Sequence, residues 1–127
     1  MKSYSETVRA YFAALDSNDL DAMLKLFTAD ASVLSPMLGE VDHAEFFPKV
    51  FGASSATTIT VFDVLISAEG HPRAIGYFNY DWTLKDGSKI LFDAADVFDF
   101  DSDGRIVKLT ILYDTHPIRH TVGNKYQ

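Results

Sequence analysis

Residues 90–100, Ile90-Leu91-Phe92-Asp93-Ala94-Ala95-Asp96-Val97-Phe98-Asp99-Phe100, decide the fold because they alternate with the period of a β-strand. The face formed by the odd-numbered residues of this predicted strand mixes carboxylates with small and apolar side chains. The other face is apolar apart from one carboxylate, and it consists of Ile90, Phe92, Ala94, Asp96, Phe98 and Phe100. The segment therefore predicts a strand that turns one face, with Asp96 at its centre, toward a core.

Asp96 is the residue in this segment that needs a physical explanation. An ionised carboxylate buried on its own is very costly, so such a group is paired, hydrogen-bonded or protonated. The pattern itself leaves two readings open. Asp96 either meets a ligand in a pocket or only completes a hydrogen bond within the core.

The overall composition predicts one globular domain over residues 1–127. The chain has 47% hydrophobic and 23% charged residues, and its formal charge of -7 argues against nucleic acid or an anionic membrane as a partner. It has no cysteine, which excludes disulfides, thiolate chemistry and cysteine-ligated metals. The N-terminal residues lack the apolar core of a signal peptide, and no apolar run is long enough to span a membrane. We therefore expect a cytoplasmic protein.

The first half of the chain carries helical patterns. Ser3 and Glu6 have the spacing of a capping box, and residues 16–19 are typical of a helix end followed by a new cap. Pro48 lacks an amide donor and is expected to kink or split the helix that contains it. The predicted elements are a helix over about residues 4–16, a second with apolar residues from Leu20 to Phe27, a strand over 31–35, and a third helix over about 43–52.

The second half is rich in β-branched and aromatic residues, which favour strands. Asp86-Gly87 is typical of a hairpin turn, and residues 101–104 indicate another turn. The predicted strands cover residues 57–66, 74–84, 90–100 and 106–114. Helices followed by antiparallel strands predict an α+β fold in which the N-terminal helices pack on one face of a curved antiparallel sheet.

Several segments together resemble a known superfamily over nearly the whole chain. They are Val8-Arg9-Ala10-Tyr11-Phe12 with Leu15 and Asn18-Asp19, residues 26–33 (LFTADASV), residues 96–101 (DVFDFD) and residues 104–107 (GRIV). On these segments the chain resembles the SnoaL-like and ketosteroid isomerase-like branch of the nuclear transport factor 2-like superfamily. The resemblance implies a cone-shaped sheet closed by helices around an apolar pocket, a small hydrophobic ligand and a homodimer. We expect no cofactor.

The resemblance also implies roles for two residues. Asp96 falls where ketosteroid isomerases keep a protonated aspartic acid, and Tyr11 falls where they keep the tyrosine that shares the substrate oxyanion. Their catalytic base precedes a proline after the second helix, and that place holds Ser35, followed by Pro36. A serine does not accept a proton near neutral pH without a partner. Steroid isomerisation by that mechanism is therefore not expected.

A late strand offers a second carboxylate, Asp114. The resemblance implies that some cyclases and epoxide hydrolases of this fold use an aspartate from such a strand as a base. Strand alternation, however, groups Leu109, Ile111 and Tyr113 on one face and turns Asp114 away, unless the strand bends. The resemblance implies that the face with Leu109, Ile111 and Tyr113 is the pocket face. Asp114 is thus a candidate catalytic residue with a solvated carboxylate as the alternative, and the other three are candidate ligand contacts.

An aromatic face on the strand over residues 74–84 is either plain core or the wall of a pocket. Tyr80 and Trp82 carry polar tips that need partners when buried, so they are the stronger candidates for contact with a ligand. The remaining predicted ligand contacts are Leu15, Ser35, Phe78 and Phe92.

Two patterns that suggest metal sites fail on closer reading. Residues 99–104 (DFDSDG) resemble the start of an EF-hand loop, but its twelfth position is Thr110 and strands flank it. His116 and His120 have the spacing of a helical metal pair, but Pro117 lies between them. We therefore expect no metal.

Three functions remain open at the level of sequence. The first is an enzyme that acts on a small hydrophobic carbonyl compound by isomerisation, cyclisation or a related proton transfer, with Tyr11 and Asp96 polarising the oxygen. The second is a protein that binds an apolar ligand in the same pocket without chemistry, and the lack of a carboxylate at Ser35 favours it. The third is a protein–protein module whose sheet forms a dimer.

Overall fold

One six-stranded sheet with three helices forms the part of the chain that the computed structural model describes, residues 3–115. In chain order the elements are α1 (Tyr4–Ser17), α2 (Leu20–Leu24), β1 (Phe27–Ser35), β2 (Gly39–Asp42), α3 (His43–Ala53), β3 (Ser54–Ile66), β4 (Arg73–Leu84), β5 (Lys89–Phe100) and β6 (Ile106–Tyr113). The predicted α+β class and curved sheet are confirmed.

The first helix begins and ends where the sequence predicts. The side chain of Ser3 accepts a hydrogen bond from the backbone N–H of Glu6, whose carboxylate accepts one from Ser3, so the capping box is complete. Asn18 ends α1 in the left-handed conformation, with φ 56°. Asp19 then caps α2 by accepting from the N–H of Ala22.

Two parts of the helix predictions are wrong, namely the extent of the second helix and the split at Pro48. The helical pattern does not continue to Phe27, because α2 ends at Leu24 and Phe27 opens β1, where it pairs with Ile106. α3 is a single helix across Pro48 rather than two pieces. The missing amide costs one hydrogen bond, while buried phenylalanines on both sides of it, Phe46, Phe47 and Phe51, hold the segment against the core.

The strands follow the order β2-β1-β6-β5-β4-β3. All neighbours are antiparallel except β1 and β6, which are parallel, a pairing that the sequence pattern did not predict. On β5 the even-numbered residues from Ala94 to Phe100 are buried and the odd-numbered ones are more exposed, as the alternation predicts. Gly76, Asp96 and Ile111 lie side by side on β4, β5 and β6.

Helix α1 packs directly on the sheet beside Asp96. The ring of Phe12 lies over Gly76, where an added Cβ would come within 2.6 Å of Phe12 Cζ. Only glycine therefore allows this close approach of helix and sheet, and the approach brings Tyr11, the neighbour of Phe12, over the centre of β5. The buried core contains both residues at 2% exposure.

The outer face of the sheet carries exposed apolar side chains. Tyr77, Ala95 and Leu112 form one row across β4, β5 and β6, and the ring of Phe62 lies 5.0 Å from that of Tyr77. We call Phe62, Tyr77, Leu91 and Leu112 the outer patch; each is more than 40% exposed. Within residues 3–115, no helix has the length and apolar character needed to cross a membrane.

Candidate functional site

A cavity of about 170 Å³ lies between the inner face of the sheet, α1 and α3. That volume is comparable with an apolar cavity of about 150 Å³ that binds benzene, so the cavity holds a molecule of about one ring. Its wall is mostly apolar and consists of Tyr11, Leu15, Ser35, Met37, Leu38, Phe46, Phe47, Val50, Phe78, Tyr80, Trp82, Phe92, Ala94, Asp96, Ile111 and Tyr113.

The centre of this wall is a hydrogen-bonded pair from α1 and β5. Tyr11 Oη donates to Asp96 Oδ2 over 3.0 Å, and the two residues are 2% and 1% exposed. The other carboxyl oxygen, Asp96 Oδ1, is buried and has no hydrogen-bond partner within residues 3–115. Tyr11 thus directs its proton to Asp96, and a residue of the cavity wall is left with one buried carboxyl oxygen that has no partner.

Burial dominates the electrostatics of the pair. It raises the pKa of Asp96 from 3.8 to about 7, although the hydrogen bond from Tyr11 stabilises the carboxylate and opposes the change. Burial also raises the pKa of Tyr11 well above 10, and the neighbouring Asp96 charge adds to this. Tyr11 therefore stays protonated, while Asp96 changes its protonation state near neutral pH.

Ser35, at the position where the resemblance to ketosteroid isomerases places a base, holds a turn. Its Oγ accepts hydrogen bonds from the backbone N–H of Met37 at 3.2 Å and of Leu38 at 3.3 Å. A hydroxyl oxygen has two acceptor lone pairs, so both are engaged. Ser35 has only its proton left to donate, which supports the prediction that it cannot act as a base.

Trp82 has its polar atom turned into the structure. Its Nε1–H donates to Ser54 Oγ over 2.7 Å, and Ser54 Oγ donates in turn to the carbonyl of Val50 over 2.6 Å. This chain ties β4 to the end of α3. The predicted polar contact between Trp82 and a ligand therefore has no free donor, and its ring remains as an apolar part of the wall.

Tyr80 differs from Trp82 because its polar atom is left over. Its Oη is buried with no hydrogen-bond partner within the described residues. Burial is the main cause that raises the pKa of Tyr80, and the charge of Asp96 adds to it. The nearby Thr57 side chain acts in the opposite direction and lowers the pKa of Tyr80. The hydroxyls of Thr57 and Tyr80 nevertheless do not form a hydrogen bond of ordinary geometry.

Aromatic contacts fix the position of the Tyr80 ring. It lies 5.4 Å from the ring of Trp82 and 5.3 Å from that of Phe92, with Phe78 at 6.2 Å. Phe92 continues the wall to Tyr113 at 4.6 Å. The predicted aromatic face is thus a cavity wall, built from side chains of β4, β5 and β6.

Two candidates from the sequence lie outside the cavity. Leu109 is fully buried beside Val33 and Phe98 in the sheet, away from the lining residues. Asp114 is exposed beyond the end of β6 and does not line the cavity either. The other predicted site residues, Tyr11, Leu15, Ser35, Phe78, Tyr80, Trp82, Phe92, Asp96, Ile111 and Tyr113, all line it.

The sequence reasoning missed the part of the wall that comes from α3 and the turn before β2. Phe46, Phe47 and Val50 recur at helical spacing, a pattern that could have placed them on an inner face. Met37 and Leu38 gave no such signal. They are about half exposed and border the cavity in the turn that Ser35 holds.

No group of three or more His, Asp or Glu side chains in residues 3–115 could hold a metal ion. In the acidic segment over residues 99–104, which resembles the start of an EF-hand loop, Asp101 Oδ1 accepts hydrogen bonds from the backbone N–H groups of Asp103 and Arg105. The imidazole Nδ1–H of His43 donates to the carbonyl of Ala31 over 2.9 Å. His116 and His120 lie outside the described residues.

Comparison with known proteins identifies the family. A SnoaL-like domain model matches residues 8–109, so the chain belongs to the SnoaL-like family, in the nuclear transport factor 2-like superfamily. No match is found among curated proteins.

Solved structures show the same fold. Bal32a, from a soil-derived mobile gene cassette, is 26% identical, with 87% of this chain and 88% of that one covered and a TM-score of 0.73. SalBIII, an epoxide hydrolase/cyclase-like enzyme in pyran ring formation in the polyether salinomycin, is 22% identical, with 87% and 90% covered and a TM-score of 0.73. A nuclear transport factor 2-like protein of an Exiguobacterium species is 22% identical, with 85% and 98% covered and a TM-score of 0.74.

Proposed function

We propose that this protein is an enzyme that transfers a proton within a small hydrophobic carbonyl compound, in an isomerase- or cyclase-type reaction. The observation that carries the proposal is Asp96: its carboxyl is buried in an apolar cavity, has one unpartnered oxygen, and has a pKa of about 7. A group whose pKa lies near the working pH is the most effective proton carrier. SalBIII, an epoxide hydrolase/cyclase-like enzyme, shows that an enzyme of the cyclase type uses this fold.

The geometry changes the roles expected from the resemblance. Tyr11 donates to Asp96, so it positions the carboxyl instead of donating to the substrate. Asp96 Oδ1 is then the atom that takes the proton from the carbon next to the carbonyl, and the protonated Asp96 returns it to another carbon. A single carboxyl performs both transfers, since Ser35 has no free lone pair to assist.

The second candidate is a binding protein that holds the same kind of ligand without chemistry. It is favoured by the lack of a second carboxylate among the described residues that line the cavity. Both candidates require the cavity to accept a one-ring ketone, and they differ only in whether protons leave its carbon.

Deuterium exchange separates the two candidates. Cyclohexanone is incubated with the protein in D₂O, and the loss of its α-hydrogens is followed by NMR. The proton held on Asp96 is replaced by deuterium from the solvent before it returns to carbon, so the proposed enzyme exchanges the α-hydrogens faster than buffer. Asp96→Asn binds the ketone but exchanges at least about 100-fold more slowly. Asp93→Asn, on the outward side of the same strand, exchanges like the wild type. Binding with exchange at the buffer rate, or full exchange in Asp96→Asn, overturns the proposal.

We also propose a homodimer that works in the cytoplasm. The outer patch supports the dimer, because large apolar side chains are exposed there on the face of the sheet opposite the cavity. Patches of this kind mark association surfaces in proteins.

A further inference from the structure

We propose that Tyr80 is the second polar anchor of the cavity and donates the hydrogen bond that holds the carbonyl oxygen of a one-ring ketone while Asp96 Oδ1 faces the adjacent carbon. This assignment rests on the proposed function for its chemistry. The hydrogen bond from Tyr80 to the ketone oxygen does not depend on the reaction, because it concerns only how the ketone is bound.

The first argument is an elimination of the other polar atoms in the wall. Tyr11 Oη donates to Asp96, the lone pairs of Ser35 Oγ are filled by two backbone N–H groups, and Trp82 Nε1–H donates to Ser54. The remaining phenol in the wall, Tyr113, is only partly buried and does not leave a buried unpartnered atom. Within the described residues, the buried polar side-chain atoms that remain without a partner are Tyr80 Oη and Asp96 Oδ1. Both belong to residues that line this cavity.

The second argument is that both orphan atoms carry a cost in the empty protein. A buried hydroxyl or carboxyl without a hydrogen bond destabilises the fold, and a ligand that bonds to it removes that cost. They also interact with each other, since the charge of Asp96 acts on Tyr80. A ketone placed between them gives the phenol an acceptor.

The third argument is the chemistry that this pair permits. Asp96 as carboxylate takes a proton from the α-carbon, and the C–H electron pair becomes the new C=C bond of an enolate. The carbonyl π electrons move to the oxygen, where the Tyr80 O–H stabilises the developing charge. Asp96 then returns the proton to carbon. Every atom and electron is accounted for without a further reactant.

The test compares two ligands that differ in one group. Cyclohexanone and methylenecyclohexane have nearly the same shape, but only the ketone accepts a hydrogen bond. Binding is measured by NMR titration at pH 8.5, where Asp96 is ionised and cannot donate, whereas Tyr80, with its raised pKa, still can. The wild type prefers the ketone by about tenfold, and Tyr80→Phe removes that preference.

Stability supplies the second readout. Tyr80→Phe deletes an unpartnered hydroxyl and keeps the ring in its aromatic contacts, so the ligand-free variant melts at the same or a higher temperature than the wild type. Tyr77→Phe is the matched control: Tyr77 lies three positions from Tyr80 on β4, on the outer face, and this variant keeps the ketone preference. A ketone preference that survives in Tyr80→Phe, or is absent from the wild type, overturns the assignment. Absence of deuterium exchange alone overturns the proposed reaction and leaves this result unaffected.

Discussion

Tyr11 and Asp96, which are 85 residues apart in the chain, are joined by a buried hydrogen bond of 3.0 Å between Oη and Oδ2. The bond links the first helix to the fifth strand at the wall of the cavity. It is also the interaction that opposes the effect of burial on the carboxyl. Its removal therefore has a predictable electrostatic consequence.

Tyr11→Phe is expected to raise the pKa of Asp96 above its value of about 7, because the lost bond favours the ionised form. The variant loses about 1–3 kcal/mol of stability with the buried bond. Carboxyl-carbon NMR across pH 4–10 measures the shift. Tyr4→Phe, at the start of the same helix, is the matched control and leaves the Asp96 titration unchanged. An unchanged or lower pKa in Tyr11→Phe contradicts the prediction.

The stability of the folded protein is expected to depend on pH through Asp96. Its folded-state pKa is raised, so the folded chain binds this proton more tightly than the unfolded chain. The resulting stability is fully present below about pH 4 and is lost as pH rises to about 7. The change in the pKa of Asp96 from 3.8 to about 7 corresponds to on the order of 4 kcal/mol in the free energy of unfolding.

Urea unfolding of the wild type and Asp96→Asn at pH 4 and pH 8 isolates this contribution, since the other carboxyls are common to both proteins. The stability of the wild type relative to the variant should fall by several kcal/mol between the two pH values. A difference that stays constant would mean that Asp96 titrates in the normal range.

Gly76→Ala is expected to destabilise the protein by about 1–3 kcal/mol, because the new methyl group collides with the ring of Phe12. The displaced helix carries Tyr11, so the cavity should bind cyclohexanone less tightly as well. Gly52→Ala in α3 is the control: its Cβ meets nothing within 4 Å, and the better helix propensity adds up to about 1 kcal/mol. Thermal unfolding measures both variants: Gly76→Ala should melt at a lower temperature than the wild type, and Gly52→Ala at a higher one.

Leu112→Glu is expected to convert the proposed homodimer into monomers, because it adds a charge to the middle row of the outer patch. Sedimentation velocity measures the mass. Ile66→Glu is the control. Ile66 is about as exposed as Leu112, but it lies on the edge strand β3 and pairs with the buried Ala74, so it belongs to the inner face of the sheet. This variant should leave the mass unchanged. A wild type that sediments as a monomer rules out the dimer.

Local patterns predicted the parts of the structure that depend on neighbours in the chain. The alternation along β5, the capping box at Ser3 and the hairpin at Gly87 each result from backbone geometry within a few residues. The superfamily resemblance supplied the pairing of Tyr11 with Asp96, which no local pattern contains.

Contacts between distant elements could not be predicted in this way. Phe27 fits the helical spacing of the preceding residues, yet its pairing with Ile106 places it in a strand. Leu109 lies on the inner face as predicted, but it is fully buried in the sheet beside Phe98 and does not reach the cavity. The bond from Trp82 to Ser54 joins two residues that are 28 positions apart in the chain, so the free donor expected at Trp82 does not exist.

The turn held by Ser35 makes this position open to redesign. A carboxylate oxygen accepts hydrogen bonds as a hydroxyl does, so an aspartate there can keep the bonds to Met37 and Leu38. The same two N–H groups would stabilise its charge. A protein engineer could therefore install a second acidic group at the cavity with the single substitution Ser35→Asp.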